Sequence, residues 1–451
     1  MNHRFDRRQF LGLAGAAAAA AAQSSPQAPS WAVQQPIRDR PIRLGFVGVG
    51  DRGSYHLDAA LGIDGVEIPA ICDIAPHYLH RAKRWIEEAG KPTPRLYGRT
   101  RTDFERMCAE EDLDCIICAT SWEWHAPVLL AAMRNGKNAV SEVPLVITLD
   151  EAWEVVETAE KTGKWATLGF KPVNSTLSNM VYQGLFGEII HCEDGYLHDL
   201  RRVKFDPDRE PWRLYHSVTR NGNLYPDHPT CRMMPLMDIN HGDRFEYLVS
   251  VSSRAVSLNQ FADLMYGPEH PYAKQKMKQG DYNCTLLRTA GGKVFTLNFD
   301  TNTPHPRGHM RVQGTKGVFF RPARSMPELI YLDGISPEEH EWEPAKKYLE
   351  EYEHPLLKAY KPKPRKHAIR GHGGAQRTTP FSWHRLILAL REGRVTDFDV
   401  YDSVTSSAIS PLSEMSVAKG GQPVEFPDFT KGAWKTRLPV EEAYRQSLTS
   451  G

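Results

Sequence analysis

Ile42-Arg43-Leu44-Gly45-Phe46-Val47-Gly48-Val49-Gly50-Asp51-Arg52-Gly53 is the stretch that decides how this chain folds. An apolar run, Ile42 to Val47, passes straight into glycines spaced Gly-x-Gly-x-x-Gly. A strand, a tight turn and a helix in that order form a dinucleotide-binding unit. Gly48 allows the turn, Gly50 lets backbone approach a pyrophosphate, and Gly53 lets helix pack closely on strand. The pyrophosphate is expected at the positive N-terminal end of the helix. A second apolar run, Val66 to Cys72, ends in Asp73, 20 residues after Gly53. A carboxylate at the end of a second strand accepts hydrogen bonds from ribose hydroxyls and repels a 2′-phosphate, so NAD is expected rather than NADP.

Outward from this stretch, apolar runs at 43–47, 67–72, 115–119, 138–141 and 165–169 alternate with helical patterns at 54–61, 77–89, 103–110, 126–135 and 149–162. That rhythm predicts an α/β Rossmann domain over 40–168, built on a doubly wound parallel sheet. Beyond Lys171 the rhythm changes. One helix is expected at 177–183, ending at Gly184, followed by β-rich runs at 188–197, 252–260, 282–289, 293–300 and 309–314. Strands with long polar connections predict an α+β domain over 169–451 with an open, mostly antiparallel sheet. Residues 337–376 are rich in Pro, Glu, Lys and His and read as an extended arm. Residues 400–419 read as a helix that stops at Gly420-Gly421. There is no internal repeat and no membrane-spanning run in this reading.

The N-terminus is read as an address rather than as fold. Asp6-Arg7-Arg8-Gln9-Phe10-Leu11 sets two arginines before a short, alanine-rich apolar stretch, Leu11 to Ala22. That stretch is too short for a stable anchor, and the pattern is that of a twin-arginine export signal. A disordered lead-in then completes residues 1–36. The expectation is a periplasmic or secreted protein with no membrane anchor after processing. This route carries folded proteins, which suits one that takes up its dinucleotide before export. A net charge of +1 gives no field that would favour nucleic acid. The 7 cysteines follow no framework spacing, and Cys115 and Cys118 lie inside an apolar strand, so buried thiols are expected rather than a zinc or redox pair.

Candidate chemistry falls in four clusters: Trp122-Glu123-Trp124-His125 after one strand, Glu142-Val143-Pro144 after the next, Tyr196-Leu197-His198-Asp199 with Arg213, and Tyr225-Pro226-Asp227-His228. The first two follow parallel strands at their carboxyl ends, where doubly wound sheets bind ligands. Acid–base groups beside aromatic surface suit a sugar, whose C–H faces pack on rings while polar tips meet hydroxyls. Each cluster also has a plain structural use: tryptophans as core, Glu142 as a capping acid, Arg213 as a surface charge, His228 as a loop histidine. His125 and His228 are too far apart and too poorly accompanied to suggest a metal site.

Together these segments resemble the Gfo/Idh/MocA family and, within it, glycoside hydrolase family 109, the NAD-dependent α-N-acetylgalactosaminidase-like proteins. Asn179 to Gly184, Arg220 to Pro226, Gly242-Asp243-Arg244, Gly314 to Gly317 and His372-Gly373-Gly374 add to the resemblance. It implies a Rossmann domain followed by an open antiparallel sheet. Dehydrogenases of the family carry Glu-Lys-Pro where this chain has Glu142-Val143-Pro144, and the glycosidase relatives also lack that lysine. The resemblance therefore implies a redox-neutral glycosidase: oxidation at sugar C3, loss of the C2 proton, departure of the aglycone, addition of water and return of hydride. NAD would end unchanged.

By the same resemblance His228 is the acid–base group with Tyr225 beside it. Tyr196, Arg213, Tyr225, Pro226, Asp227, His228 and Arg307 would meet substrate. Asp51, Arg52, Asp73, Trp122, Glu123, Trp124, His125, Glu142 and Val143 would line the cofactor. Lys171 is the candidate to stand in for the family lysine near the nicotinamide. Some positions depart from the glycosidase pattern: Asp227 and Pro229 replace threonine and glycine, Arg307 replaces a tyrosine, and Ala375-Gln376 stand where an acid is expected. Cofactor positions are kept while substrate positions change. The competing readings are an exported NAD-dependent sugar dehydrogenase and a non-enzymatic NAD-binding module. The free face of an open antiparallel sheet suits a homo-oligomer.

Overall fold

The computed structural model describes residues 34–169, 175–360, 378–440 and 442. Residues 1–33 of the expected leader and lead-in, 1–36, and residues 361–376 of the expected arm lie outside the described residues.

β1 (Ile42–Val47), β2 (Val66–Cys72), β3 (Arg95–Tyr97), β4 (Cys115–Cys118), β5 (Asn138–Ser141) and β6 (Ala166–Thr167) form a parallel sheet in the order β3-β2-β1-β4-β5-β6. β4 and β5 are buried at every residue, because helices cover both faces of the sheet. The helices Asp51–Leu61, Pro76–Glu88, Asp103–Glu110, His125–Arg134 and Leu149–Thr162 link the strands. The last begins on a reciprocal capping box between Thr148 and Glu151 and ends on Gly163 at φ 67°. β3 carries no apolar run, since Arg95 and Leu96 are exposed at the sheet edge. Strand order reverses between β1 and β4, which opens a crevice at their carboxyl ends.

Residues 40–168 do not complete this layer alone. The helix Thr378–Glu392 returns to it, and the fully buried Trp383 stacks on Phe46 with ring centroids 6.4 Å apart. Arg391 then donates to the carbonyls of Ile37, Arg40 and Gly65.

The second sheet comprises β7 (Ile189–Leu197), β8 (Phe245–Ser252), β9 (Asn283–Thr289), β10 (Val294–Asp300), β11 (Met310–Gly314), β12 (Gly317–Arg321), β13 (Leu329–Leu332), β14 (Glu343–Pro344) and β15 (Val424–Glu425). Their order is β14-β13-β12-β11-β7-β10-β9-β8-β15. Only the β7–β10 pair is parallel; the other pairs are antiparallel. The sheet is thus mixed but mostly antiparallel.

Two local expectations are corrected. The run at 252–260 is not a strand: β8 ends at Ser252 and Ser257–Tyr266 is a helix. The Asp281 carboxylate accepts from Val256 N–H and Ser257 N–H and so holds the helix start from a distant point in sequence. The described part of 337–376 is not a plain extended arm. It contains β14 and the helices Lys346–Glu351 and Pro355–Ala359, with Tyr348 buried.

The helix Val400–Ala418 joins the two sheets. It is buried along most of its length although it is rich in serine. Each buried hydroxyl therefore needs a partner. Ser403 Oγ accepts from Leu168 N–H and Ser407 Oγ from Leu145 N–H, both in the first domain. Ser413 Oγ accepts from Asn223 N–H and Ser416 Oγ from Ser250 N–H, both in the second. Ser406 and Ser407 each donate to Asp227 Oδ1, at 2.8 and 2.7 Å.

Ser407→Ala strips the Leu145 N–H of its acceptor and Asp227 of one donor. Leaving such a group unpaired costs about 1–3 kcal/mol. Urea unfolding of the variant is expected to show a loss of that size. An unchanged midpoint would remove the serine seam from this account.

Candidate active-site cleft

A cleft of about 1460 Å³ opens between the carboxyl ends of β1, β2, β4 and β5 and a wall from the second domain. Its floor begins at the glycine turn. Gly48 sits at φ 82°, and a Cβ there would meet Ala119 O at 2.6 Å. A Cβ on Gly53 would meet Gly48 O at 1.9 Å. Only glycine allows helix and strand to approach so closely. No side chain caps the helix Asp51–Leu61, so its first N–H groups stand ready for an anion.

The Asp73 carboxylate is set by backbone: Oδ2 accepts from Val49 N–H at 2.7 Å and Oδ1 from Ala75 N–H at 2.9 Å. Burial pushes its pKa up while those two N–H groups pull it down. Arg81 braces the turn from below, donating to Val49 O and Gly50 O and stacking on Tyr78 and Trp85. These turn residues fit a dinucleotide: a bare helix N-terminus, a glycine cradle and an acid at the end of β2.

Glu142, at the end of β5, gathers two partners on one oxygen. Arg52 Nη2 lies 2.8 Å and His56 Nε2 2.6 Å from Oε1. The Glu142 charge holds the Arg52 guanidinium pKa above its ordinary value against the cost of burial. His125 places Nδ1 2.6 Å from Pro144 O and Nε2 3.1 Å from Thr120 O. Burial lowers its pKa, while the two carbonyls pull it the other way. It ties the loop after β4 to the loop after β5. Val143 is buried against the same edge of the cleft.

An aromatic column crosses from one wall to the other. Trp122 stacks on Tyr225 with centroids 5.3 Å apart and planes 18° apart. Tyr225 meets Tyr196 edge-on at 4.5 Å, and Tyr196 stacks on His228 at 5.1 Å and 12°. Arg213 lies over Trp122, Trp212 and Tyr225 and pairs with Glu210. Burial works against the Arg213 charge, yet Glu210 and the two tyrosines hold its pKa above the ordinary value. Burial raises the pKa of both Tyr225 and Tyr196. Their phenols stay protonated at neutral pH and serve as hydrogen-bond donors rather than bases.

Behind Arg213, the buried Lys204 amine contacts Ser217 Oγ, Thr301 Oγ1 and Asn302 Oδ1 at 3.0, 2.8 and 2.5 Å. Burial, aided by Arg213, pushes its pKa down to about 7.

Gly50, Asp51, Trp124 and Arg307 also line the cleft. Gly53 acts from behind the turn. Glu123 turns aside, its Oε1 3.3 Å from His216 Nε2, and Pro226 does not line the cleft. Asp227 is a correction to the expected substrate wall. It is fully buried, and its carboxylate takes the hydroxyls of Ser406 and Ser407. Its replacement of the family threonine thus faces the core. Lys171 lies outside the described residues. Sequence reasoning missed Tyr55, His56 and Arg81 on the cofactor side, and Asp194, Arg232, Arg321 and Arg324 on the other. His56 and Arg81 fall on regular helices, and only the tertiary fold turns them toward the cleft.

Among the described residues no group of His, Cys, Asp or Glu is placed to hold a metal ion, and no helix is long and apolar enough to cross a membrane. The thiols of Cys115 and Cys118 are buried in β4, and burial raises both pKa values.

Residues 42–170 match the model of the oxidoreductase family with an NAD-binding Rossmann fold, and residues 174–436 match that of the glycosyl hydrolase 109 C-terminal domain. A glycosyl hydrolase family 109 protein of Stenotrophomonas maltophilia is 39% identical, over 96% of this chain and 97% of its own length. One from Solibacter usitatus is 37% identical, over 96% of this chain and 99% of its own. Among solved structures, levoglucosan dehydrogenase in complex with NADH and L-sorbose superposes with a TM-score of 0.64 at 18% identity, over 86% of this chain and 100% of that one. That likeness is one of fold.

The lysine gives a pH prediction. Between about 7 and the ordinary 10.5, the folded chain holds Lys204 neutral while the unfolded chain holds it charged. Unfolding then takes up a proton, so stability rises with pH across that window. Lys204→Met is expected to flatten the rise relative to the parent protein in urea titrations at successive pH values. Equal slopes would show that Lys204 keeps its proton in the fold.

Proposed function

The chain belongs to glycosyl hydrolase family 109 and carries the NAD-binding Rossmann fold, and from that premise we propose that it cleaves a glycoside in a redox-neutral, NAD-dependent cycle. The observation that carries the proposal is His228, stacked on Tyr196 in the wall facing the glycine turn, with a valine at 143. A dehydrogenase of this fold would use a lysine at that place. α-N-acetylgalactosaminide is the first substrate to test.

The glycine turn and the open helix N-terminus would hold the pyrophosphate, and Asp73 would take the ribose hydroxyls. When bound, NAD supplies reversible hydride exchange at sugar C3. With C3 oxidised, the C2 proton becomes acidic, and His228 removes it as the C1–oxygen bond to the aglycone breaks. Water then adds its hydroxyl at C1, its remaining proton goes to the departed aglycone oxygen, and His228 returns a proton to C2. Tyr196 and Tyr225, kept protonated by burial, donate hydrogen bonds to sugar oxygens. Arg213, charge-balanced by Glu210, orients the ring from the side of Trp122. The aromatic column offers ring faces to the C–H groups of the sugar.

A cycle that returns the hydride would need no second redox substrate. This suits export with cofactor aboard, the working place we propose from Arg7-Arg8 and the apolar stretch after them. The open face of the second sheet, where Val251 and Leu286 are exposed, is proposed as the contact between two copies of the chain.

A paired assay on nitrophenyl glycosides tests the cycle. Nitrophenol is expected without accumulating NADH. NADH formed from free sugars, with no aglycone released, would instead make the protein a sugar oxidoreductase. In the same assay His228→Ala is expected to lose about 10²- to 10⁴-fold in kcat while bound NAD content is unchanged. Full turnover by that variant would overturn the acid–base assignment.

A further inference from the structure

At the end of the cleft beyond His228, four arginines converge where the fold supplies few acids. Arg232, Arg307, Arg321 and Arg324 all line the cleft. Asp194 pairs with Arg232 at 2.7 Å, and its other oxygen accepts from Gly195 N–H. Glu328 approaches Arg321 only to 3.9 Å. Among the described residues Arg307 and Arg324 form no ion pair, and the buried Arg321 Nε has no hydrogen-bond partner. An unpaired buried guanidinium donor costs stability unless a ligand satisfies it.

The backbone explains the convergence. In register, Asp194 of β7 lies opposite Met310 of β11, which lies opposite Arg321 of β12, so the three share one face. Tyr196 follows Asp194 by two residues on that face, and Arg232 follows His228 by four on the helix Asp227–Met233. The pair Tyr196–His228 and the pair Asp194–Arg232 are therefore successive layers of one wall, about 6–7 Å apart. Arg307 borders Tyr196, and its carbonyl accepts from Arg324 N–H at 2.8 Å. Burial lowers the pKa of Arg307 and Arg321, and the neighbouring arginines lower both further. The four arginines thus repel one another and outnumber the two acids beside them, Asp194 and Glu328.

We propose that this end of the cleft is a subsite for an oxyanion, a carboxylate or a sulfate ester, carried by the glycoside one layer from His228. Arginine suits both groups, since its planar fork donates two parallel hydrogen bonds. The inference rests on reading the cleft as a glycoside site, and it makes the substrate an acidic sugar or one linked to an acidic neighbour. A tyrosine at position 307 would offer a neutral contact; Arg307 offers a charge.

The test uses the NAD-loaded protein at constant ionic strength, with chloride as the balancing ion. Thermal stabilisation by inorganic sulfate and by glucuronate is measured against chloride and glucose. Turnover of nitrophenyl glucuronide and nitrophenyl 6-sulfo-galactoside is measured against their neutral parents. Stabilisation by one anion, or a kcat/KM preference for one charged glycoside, is expected, and the arm that responds identifies the group. Arg321→Gln is expected to lose the preference by roughly 10- to 100-fold with NAD content unchanged. Arg324→Gln, at an exposed position, gives the same reading if that variant fails to fold. Anion binding without cleavage of any glycoside would sustain the subsite and sink the glycosidase. Equal turnover of charged and neutral glycosides, with no anion distinguished from chloride, would sink the subsite and leave the glycosidase.

Discussion

Everything in the cleft depends on a buried helix whose serines cannot be left unpaired. Val400–Ala418 offers hydroxyls to Leu145 and Leu168 in one domain and to Asn223 and Ser250 in the other. A greasy seam could slide by a residue at little cost. Hydroxyls matched to particular N–H groups cannot, because each mismatch would bury an unsatisfied donor. The Asp227 carboxylate belongs to this seam, and it starts the short helix that presents His228 and Arg232. The position of His228 is thereby tied to the loops that follow β5 and β6.

The two walls differ in their electrostatics. On the cofactor side the polar groups are paired in place: Arg52 and His56 with Glu142, and Arg81 with turn carbonyls. On the far side Arg213 is balanced by Glu210, but the arginines beyond it outnumber their acids. Between them lies a column of rings from Trp122 to His228. A sugar ring suits the column, hydride chemistry suits the first wall, and a charged substituent suits the end beyond His228.

The sequence announced the Rossmann half because its signals are local. Gly48 and Gly53 answer to backbone clashes within a few residues, and β1, β2, β4 and β5 are apolar runs long enough to read. β3 was silent because an edge strand with Arg95 and Leu96 exposed has no apolar run. The helix Ser257–Tyr266 was mistaken for strand because the residue that caps it, Asp281, lies downstream in another connection. Trp383 gave no hint that it would cover Phe46. The cleft residues divide the same way. Trp122, His125, Glu142, Tyr196, Tyr225 and His228 follow strands or sit in motifs, and they line the cleft. Asp227 sits in the same motif and faces the core. Arg232, Arg321 and Arg324 meet through strand register, a helix laid against β7 and a loop after β12, which no linear pattern displays.

The central claim is that the C2–H bond of the sugar is broken and remade during cleavage. Hydrolysis in heavy water, with mass and NMR analysis of the released sugar, tests it directly. The account predicts one deuterium fixed at C2, with no NADH left over. A released sugar carrying no carbon-bound deuterium would contradict it, because direct displacement at C1 leaves C2 untouched.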